Sequence, residues 1–183
     1  MDVRFFLGGG EAQCSDEVIL DVGDGYKDLP DKVRAVCRYA LASGYDGLCK
    51  LDDDVYLVPA RFLAAGLEVF DYVGNFRMHT GNYPADYASG FCYRLSRRAM
   101  EIVADAELTE DTFEDRWVGN LLDAAHPRLR TLDEKRFMCS YPGIDAPEKL
   151  WGSPIGRTHI AFAQYPPEMF AALHYWYGRI SHA

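Results

Sequence analysis

The chain has 183 residues, 49% of them hydrophobic and 26% charged, the balance of one compact globular domain and not of a disordered tail. Its 28 acidic side chains against 19 basic ones leave a net charge of −9, the wrong sign for phosphate neutralisation, so nucleic acid is not an expected partner. The longest apolar runs, such as Phe5-Phe6-Leu7 and Val18-Ile19-Leu20, fall far below the ~20 residues of a membrane helix. The first residues also lack the basic-then-apolar layout of a secretory signal, so the expectation is a cytoplasmic protein with no membrane span. Cys14, Cys37, Cys49, Cys92 and Cys139 form no C-x-x-C pair. They read as mostly buried thiols in a reducing compartment, not as a zinc site or disulfide framework.

No repeat or linker interrupts the chain, so a single domain over residues 1–183 is expected. Short apolar runs closed by turn residues predict strands at Val3–Leu7 and Glu17–Val22. Gly8-Gly9-Gly10 lacks the spacing and the lysine of a phosphate loop and reads as a turn. A helix is predicted over Asp28–Ser43, with Pro30 in its first turn, Val33, Val36, Cys37, Ala40 and Leu41 as a buried stripe, and Gly44 as its stop. Gly47–Leu51 reads as a strand running straight into Asp52-Asp53-Asp54. Val55–Val58 follows, then a helix from Pro59 to about Val69 and a strand over Asp71–Phe76. Phe91-Cys92-Tyr93 reads as a strand, and Ser96 is a candidate N-cap for a helix through Ala104. Asp111 with Glu114 three residues on resembles a capping box for a helix from Thr112 to about Ala124. Strands at Leu129–Thr131 and Arg136–Tyr141 come next. A last helix after Pro166-Pro167 carries Met169, Phe170, Leu173 and Trp176. Strands alternating with helices predict an α/β fold with a mainly parallel sheet, whose ligands gather at the carboxyl ends of strands.

Three aspartates at a strand end repel one another unless something positive neutralises them. Carboxylate oxygens suit Mg²⁺ or Mn²⁺, which leave coordination positions for substrate phosphates; the alternative is a solvated acidic turn. Asp115 falls in the first turn of a predicted helix, with Val118, Gly119 and Leu122 on the same face. It is either a working carboxylate at the head of an apolar face or, with Glu114, a complement to the helix dipole. Ser89-Gly90 could place small residues and a backbone N–H beside a ligand, or form an ordinary turn. His159, in the apolar stretch Thr158–Phe162, reads by itself as a hydrogen-bonded core residue. His79, His126, His174 and His182 have no comparable support. Tyr83, Tyr87, Trp117 and Trp151 are candidates for stacking on a ligand, although aromatics serve more often as core.

The ordered set Leu7-Gly8, Asp24-Gly25-Tyr26-Lys27-Asp28-Leu29 with Lys32, and Lys50-Leu51-Asp52-Asp53-Asp54-Val55-Tyr56 resembles the β-1,3-galactosyltransferase and Fringe-type glycosyltransferases. That family reads in outline F-x-L-G, D-x-Y-x-N-L-T-x-K and K-x-D-D-D-V-F. Tyr83-Pro84 through Tyr87-Ala88-Ser89-Gly90, Phe113-Glu114-Asp115 with Val118-Gly119, and Thr158-His159-Ile160 continue the likeness. The resemblance spans about residues 5–177. It implies a GT-A nucleotide-sugar fold with a mixed, mainly parallel sheet flanked by helices. It further implies an inverting hexosyltransferase that moves a hexose or N-acetylhexosamine from a UDP-sugar to a glycan hydroxyl.

On that resemblance Asp54 and His159 hold Mn²⁺ or Mg²⁺. Asp52, Asp53, Lys32, Ser89 and Gly90 contact the donor, and Asp115 is the general base. Two departures stand out. The N-L-T-x-K segment appears as Asp28-Leu29-Pro30-Asp31-Lys32, and the family's strand before F-x-L-G, with the R-x-x-x-R-x-T-W-like segment after it, has no counterpart. The first strand of the fold is therefore expected to be missing. With no anchor seen, a bacterial or viral cytoplasmic enzyme is the expectation. The alternatives are a non-catalytic sugar- or nucleotide-binding domain of the same fold, or a phage-type transferase acting on modified DNA bases.

Overall fold

A computed structural model of the chain describes residues 1–77, 86–125, 129–139, 158–165 and 167–177. Of the residues singled out above, His79, Tyr83, Pro84, His126, Tyr141, Trp151, Pro166 and His182, and the side chains of Cys139 and Trp176, lie outside these. The strands are β1 (Phe5–Leu7), β2 (Glu17–Ile19), β3 (Gly47–Leu51), β4 (Val55–Leu57), β5 (Tyr72–Arg77), β6 (Tyr87–Ser96), β7 (Thr131–Asp133), β8 (Phe137–Cys139) and β9 (Ala161–Ala163). The helices are α1 (Leu29–Ala42), α2 (Pro59–Ala64), α3 (Arg97–Asp105), α4 (Glu114–Ala125) and α5 (Pro167–Tyr177).

The chain falls into two compact units, each drawn from separated stretches. The first comprises Met1–Leu48, Met78–Tyr87 and Leu95–Leu129. In it α1 packs on α3 and α4, burying the predicted stripe positions Val33, Cys37 and Ala40 with Met100, Val103, Val118 and Leu122. Ser96 accepts the Ala99 N–H at 3.3 Å as the expected N-cap of α3. At the other end of α3, Arg38 Nε donates to the Ala104 carbonyl at 2.8 Å and Arg34 to Ala106 at 3.3 Å. Arginines of α1 thereby satisfy carbonyls that the end of α3 leaves without helical partners. Gly44 ends α1 as predicted, at φ 81°.

The second unit comprises Cys49–Arg77, Ala88–Arg94 and Arg130–Ala183. Its core joins Val73, Phe91, Cys92, Phe137, Ile160, Ala161 and Ala163, with Val58, Phe162, Tyr165, Met169 and Leu173 forming an adjoining cluster.

The α/β class is as predicted, but the sheets are mixed and not mainly parallel. β1 with β2, β5 with β7 and β8 with β9 run parallel, whereas β4 and β9 are antiparallel. β3 and β6 also pair in opposite senses: the Arg97 N–H reaches the Asp46 carbonyl at 2.9 Å and the Asp52 N–H reaches the Phe91 carbonyl at 3.0 Å. A parallel pair needs a long crossover between its strands. Only the three aspartates separate β3 from β4, and β4 takes β9 as its partner.

Several boundaries differ from the sequence reading. β2 ends at Ile19, β7 lies two residues late, and the helix after Pro59 stops at Ala64 because Gly66 turns left-handed (φ 66°) before a short 3-10 turn at Leu67–Val69. Among the described residues no helix is long and apolar enough to cross a membrane. Cys14, Cys37, Cys49 and Cys92 are free thiols, and burial pushes the Cys37 thiol up to about 12, with Glu114 adding to the shift.

Gly119 of α4 lies against β6: a Cβ there would sit 2.4 Å from the Tyr87 Cβ. Alanine at 119 gains roughly 1 kcal/mol of helix propensity but overpacks this contact at about 1–3 kcal/mol. Denaturant unfolding of Gly119→Ala is therefore expected to show net destabilisation. A variant as stable as the parent would contradict the close approach.

Candidate functional site

The pairing of β3 with β6 organises the acidic turn. Lys50 lies near the end of β3 and Asp52 follows directly after the strand, two residues on. Lys50 Nζ donates to Asp52 Oδ1 and to the Gly90 carbonyl at 2.5 Å, and lies 5.8 Å from the centre of the Tyr93 ring. Its side chain is only 15% exposed. A half-buried ammonium persists where charge and carbonyl partners replace its lost water. Through it the aspartate triplet and Ser89-Gly90, far apart in sequence, are held side by side, with Ser89 buried beside Gly90. Lys50 is the functional candidate that the sequence reading quoted without assigning a role. The signal was present in the K-x-D spacing, but its meaning depends on the strand alongside.

All three aspartates are exposed. The turn closes through Val55 N–H to the Asp52 carbonyl and Gln164 N–H to the Asp54 carbonyl, both at 3.3 Å. Gln164 holds φ 59°, a conformation that costs a non-glycine residue of order 1 kcal/mol or more. Partial burial and then the neighbouring Asp52 and Asp53 carboxylates raise the Asp54 carboxyl above its ordinary range, opposed by its own backbone and by Lys50. Among the described residues Lys50 neutralises Asp52, while no basic side chain pairs with Asp53 or Asp54. Oxygen donors in this state suit a hard divalent cation, which needs one or two carboxylates when substrate phosphates complete its shell.

His159 is not brought to Asp54. β4 and β9 pair Val55 with Ala163 and Leu57 with Ala161, and the ladder continues with Val58 N–H to the Ile160 carbonyl at 2.8 Å. Asp54 therefore lies at the Gln164 end of this ladder and His159 beyond its other end, five extended residue steps or about 16 Å away. This register sets Asp54 and His159 at opposite ends of the ladder. His159 is instead half-buried, with its carbonyl accepting from Arg61 at 2.8 Å, its Nδ1 3.3 Å from the Thr158 hydroxyl and its ring 6.2 Å from that of Phe162. Among the described residues no three His, Cys, Asp or Glu side chains converge as a metal-binding group.

Lys32 and Asp115 lie in the first unit. Lys32 binds Asp24 Oδ1 at 2.5 Å, and this bond holds the Asp24 carboxyl below its ordinary range. The pair sits where β1 and β2 end. A side chain at Gly8 would meet the Gly23 carbonyl oxygen at 2.7 Å, so Gly8 lets the loop before Asp24 pass close by. Asp115 occupies the first turn of α4 and accepts the Arg116 N–H at 2.8 Å, with Val118, Gly119 and Leu122 buried on its face as expected. Asp115 belongs to one unit and Asp52–Asp54 to the other. Trp117 is 2% exposed, so it is core and not a sugar platform. Tyr87 is half-buried, and His174 is exposed on α5 beside Tyr56.

Asp111 does not cap α4 in the expected way. The helix begins at Glu114, and Asp111 closes the turn before it, accepting the Phe113 N–H at 3.0 Å and the Arg116 fork at 2.6 and 2.5 Å. Burial acts to raise its carboxyl pKa, but the bonds from Arg116 and Phe113 outweigh it and hold the group below its ordinary range. A carboxyl more acidic folded than unfolded adds stability above its unfolded pKa of about 3.9, lost as pH falls through the lower folded value. Unfolding of Asp111→Asn at pH 7 is expected to show a loss of about 2 kcal/mol that closes as pH drops below about 4; a pH-independent difference would contradict it. Compared with known proteins, the chain matches no family model and no curated protein.

Proposed function

We propose that the chain is an inverting, metal-dependent glycosyltransferase of GT-A type that moves a hexose or N-acetylhexosamine from a UDP-sugar to a hydroxyl of a glycan acceptor, working in the cytoplasm. The observation that carries this reading is the Lys50 bridge, which sets the aspartate triplet and the Ser89-Gly90 segment together at the end of β3. The ordered resemblance to the Fringe-type enzymes gives those two segments a shared purpose, since both belong to the donor site there.

Asp54 is the ligand for Mn²⁺ or Mg²⁺, without His159. Such an ion, when bound, supplies Lewis-acid neutralisation of the diphosphate leaving group. Asp52 and Asp53 face the nucleotide, with Lys50 keeping Asp52 neutralised so that the turn is not over-charged. Ser89 and Gly90 leave room for the sugar, and Lys32 is a further donor contact on the resemblance. Asp115 accepts the proton of the acceptor hydroxyl as its oxygen forms the new bond to the anomeric carbon. The bond from that carbon to the diphosphate oxygen breaks, and UDP departs with the electron pair. Attack opposite the leaving group inverts the anomeric centre. The register that parts His159 from Asp54 favours a second reading, a sugar- or nucleotide-binding domain without turnover.

UDP with Mn²⁺ is expected to raise the melting temperature, and Asp54→Ala to abolish the rise; a rise retained in the variant would remove Asp54 as ligand. Asp115→Asn is expected to keep UDP binding near the parent's while transfer drops by 10² or more. A fully active variant would eliminate the base. Mn²⁺-dependent UDP release across a panel of UDP-sugars, with and without glycan acceptors, separates the two readings: turnover supports the transferase, and binding with no release from any donor supports the binding domain.

A further inference from the structure

Trp117 is core, but two other rings of the first unit stand open to solvent. Tyr26 is 66% exposed and Phe113 47% exposed, and their ring centres lie 6.1 Å apart with the planes at 85°, an edge-to-face pair. One exposed apolar side chain needs no explanation. Two rings in contact, brought from distant parts of the sequence, form a small apolar patch, and such patches mark binding surfaces.

Both rings stand on fixed backbone. Tyr26 opens a 3-10 turn over Tyr26–Asp28, closed by the Asp28 N–H to the Gly25 carbonyl at 2.9 Å and by the Gly25 N–H to Asp28 Oδ2 at 3.1 Å. Phe113 gives its N–H to Asp111 Oδ1 at 3.0 Å, and its carbonyl takes the Trp117 N–H at 2.9 Å as the chain enters α4. Arg116, itself held by the Asp111 carboxylate, sets its guanidinium 4.7 Å from the centre of the Phe113 ring. One face of Phe113 is thereby covered, and the ring is braced without being enclosed. The Tyr26 hydroxyl makes no hydrogen bond among the described residues, so it is left as a polar tip on an exposed ring. Rings placed in this way cost a ligand little ordering entropy on binding.

The charge around the pair narrows what it can hold. Within four residues of either ring the sequence places six carboxylates, Asp115 among them, against Lys27 and Arg116. Such surroundings disfavour phosphate and carboxylate groups by like-charge repulsion, whereas carboxylates accept hydrogen bonds from hydroxyls. A neutral sugar ring, with an apolar face and hydroxyls around its edge, meets both conditions. We propose that Tyr26 and Phe113 form a stacking platform for a neutral pyranose of a glycan. Asp115 lies two residues beyond Phe113, so the platform carries the acceptor sugar, a role that rests on the transferase reading of Asp115 as the base.

The test is titration of ¹⁵N-labelled full-length protein, without donor or metal, with methyl β-galactopyranoside, N-acetyllactosamine, sorbitol and uridine. At least one of the two glycosides is expected to shift the Tyr26 and Phe113 amides saturably, while sorbitol, which has the hydroxyls but no ring face, produces no shift. Phe113→Leu keeps the apolar bulk and removes the flat ring. It and Tyr26→Ala are each expected to weaken binding roughly fivefold or more, the lower end of a stacking contact, and Phe113→Tyr is expected to retain it. The proposal is overturned if neither glycoside gives a saturable response at these amides in the parent protein, a result that needs no variant to fold. It is equally overturned if uridine alone shifts them, if sorbitol shifts them as the glycosides do, or if Phe113→Leu and Tyr26→Ala bind with the parent's affinity. Failure of the transferase reading shows separately, as glycoside binding at the pair with no UDP release from any donor.

Discussion

The Lys50 ammonium is the interaction on which the candidate site depends. It lies between the Asp52 carboxylate and the Gly90 carbonyl, near the face of Tyr93, and so joins the end of one strand to the middle of its neighbour. Removing one member of such a half-buried pair leaves the other charge without its counterpart, the costly half of ion-pair energetics. Because Lys50 is the one cation paired with the three carboxylates among the described residues, negative charge on Asp53 and Asp54 is left unbalanced among those residues. That surplus, and not the mere presence of acidic residues, is what a divalent cation with its phosphate ligands would correct.

The second constraint is the β4–β9 ladder. It leaves the acidic turn directly, so its register decides which late residues reach Asp54. Gln164 does, through its N–H and at the expense of a left-handed backbone. His159 does not; it is half-buried and makes contacts to Arg61, Thr158 and Phe162. Among the described residues the aspartate turn is therefore where the proposed cation would find carboxylate oxygens, the donors that hard cations such as Mg²⁺ accept readily.

Features governed by local spacing were legible in the sequence. The α1 stripe, Ser96 as the cap of α3, and the strand Gly47–Leu51 ending in aspartates all follow from periodicity and capping chemistry within a few residues. What was not legible depended on distant partners. Ala161-Phe162-Ala163 is buried on both faces and shows no alternation to mark it as a strand. The antiparallel pairings of β4 with β9 and of β3 with β6 are set by tertiary packing, so alternating elements suggested more parallel sheet than exists. Asp111 illustrates a subtler limit. Its spacing to Glu114 fitted a capping box, but Arg116, five residues on, offered a stronger fork and drew the carboxylate into the turn ahead of the helix.

The central claim is that the aspartate turn at the end of β3 is a cation site completed by a nucleotide diphosphate. Anomalous diffraction at the manganese edge, from crystals grown with UDP and Mn²⁺, tests it most directly. The expected result is one peak within coordination distance of the Asp54 carboxylate and of the UDP phosphates. A peak centred on other residues, or UDP bound with no manganese at Asp54, would contradict it.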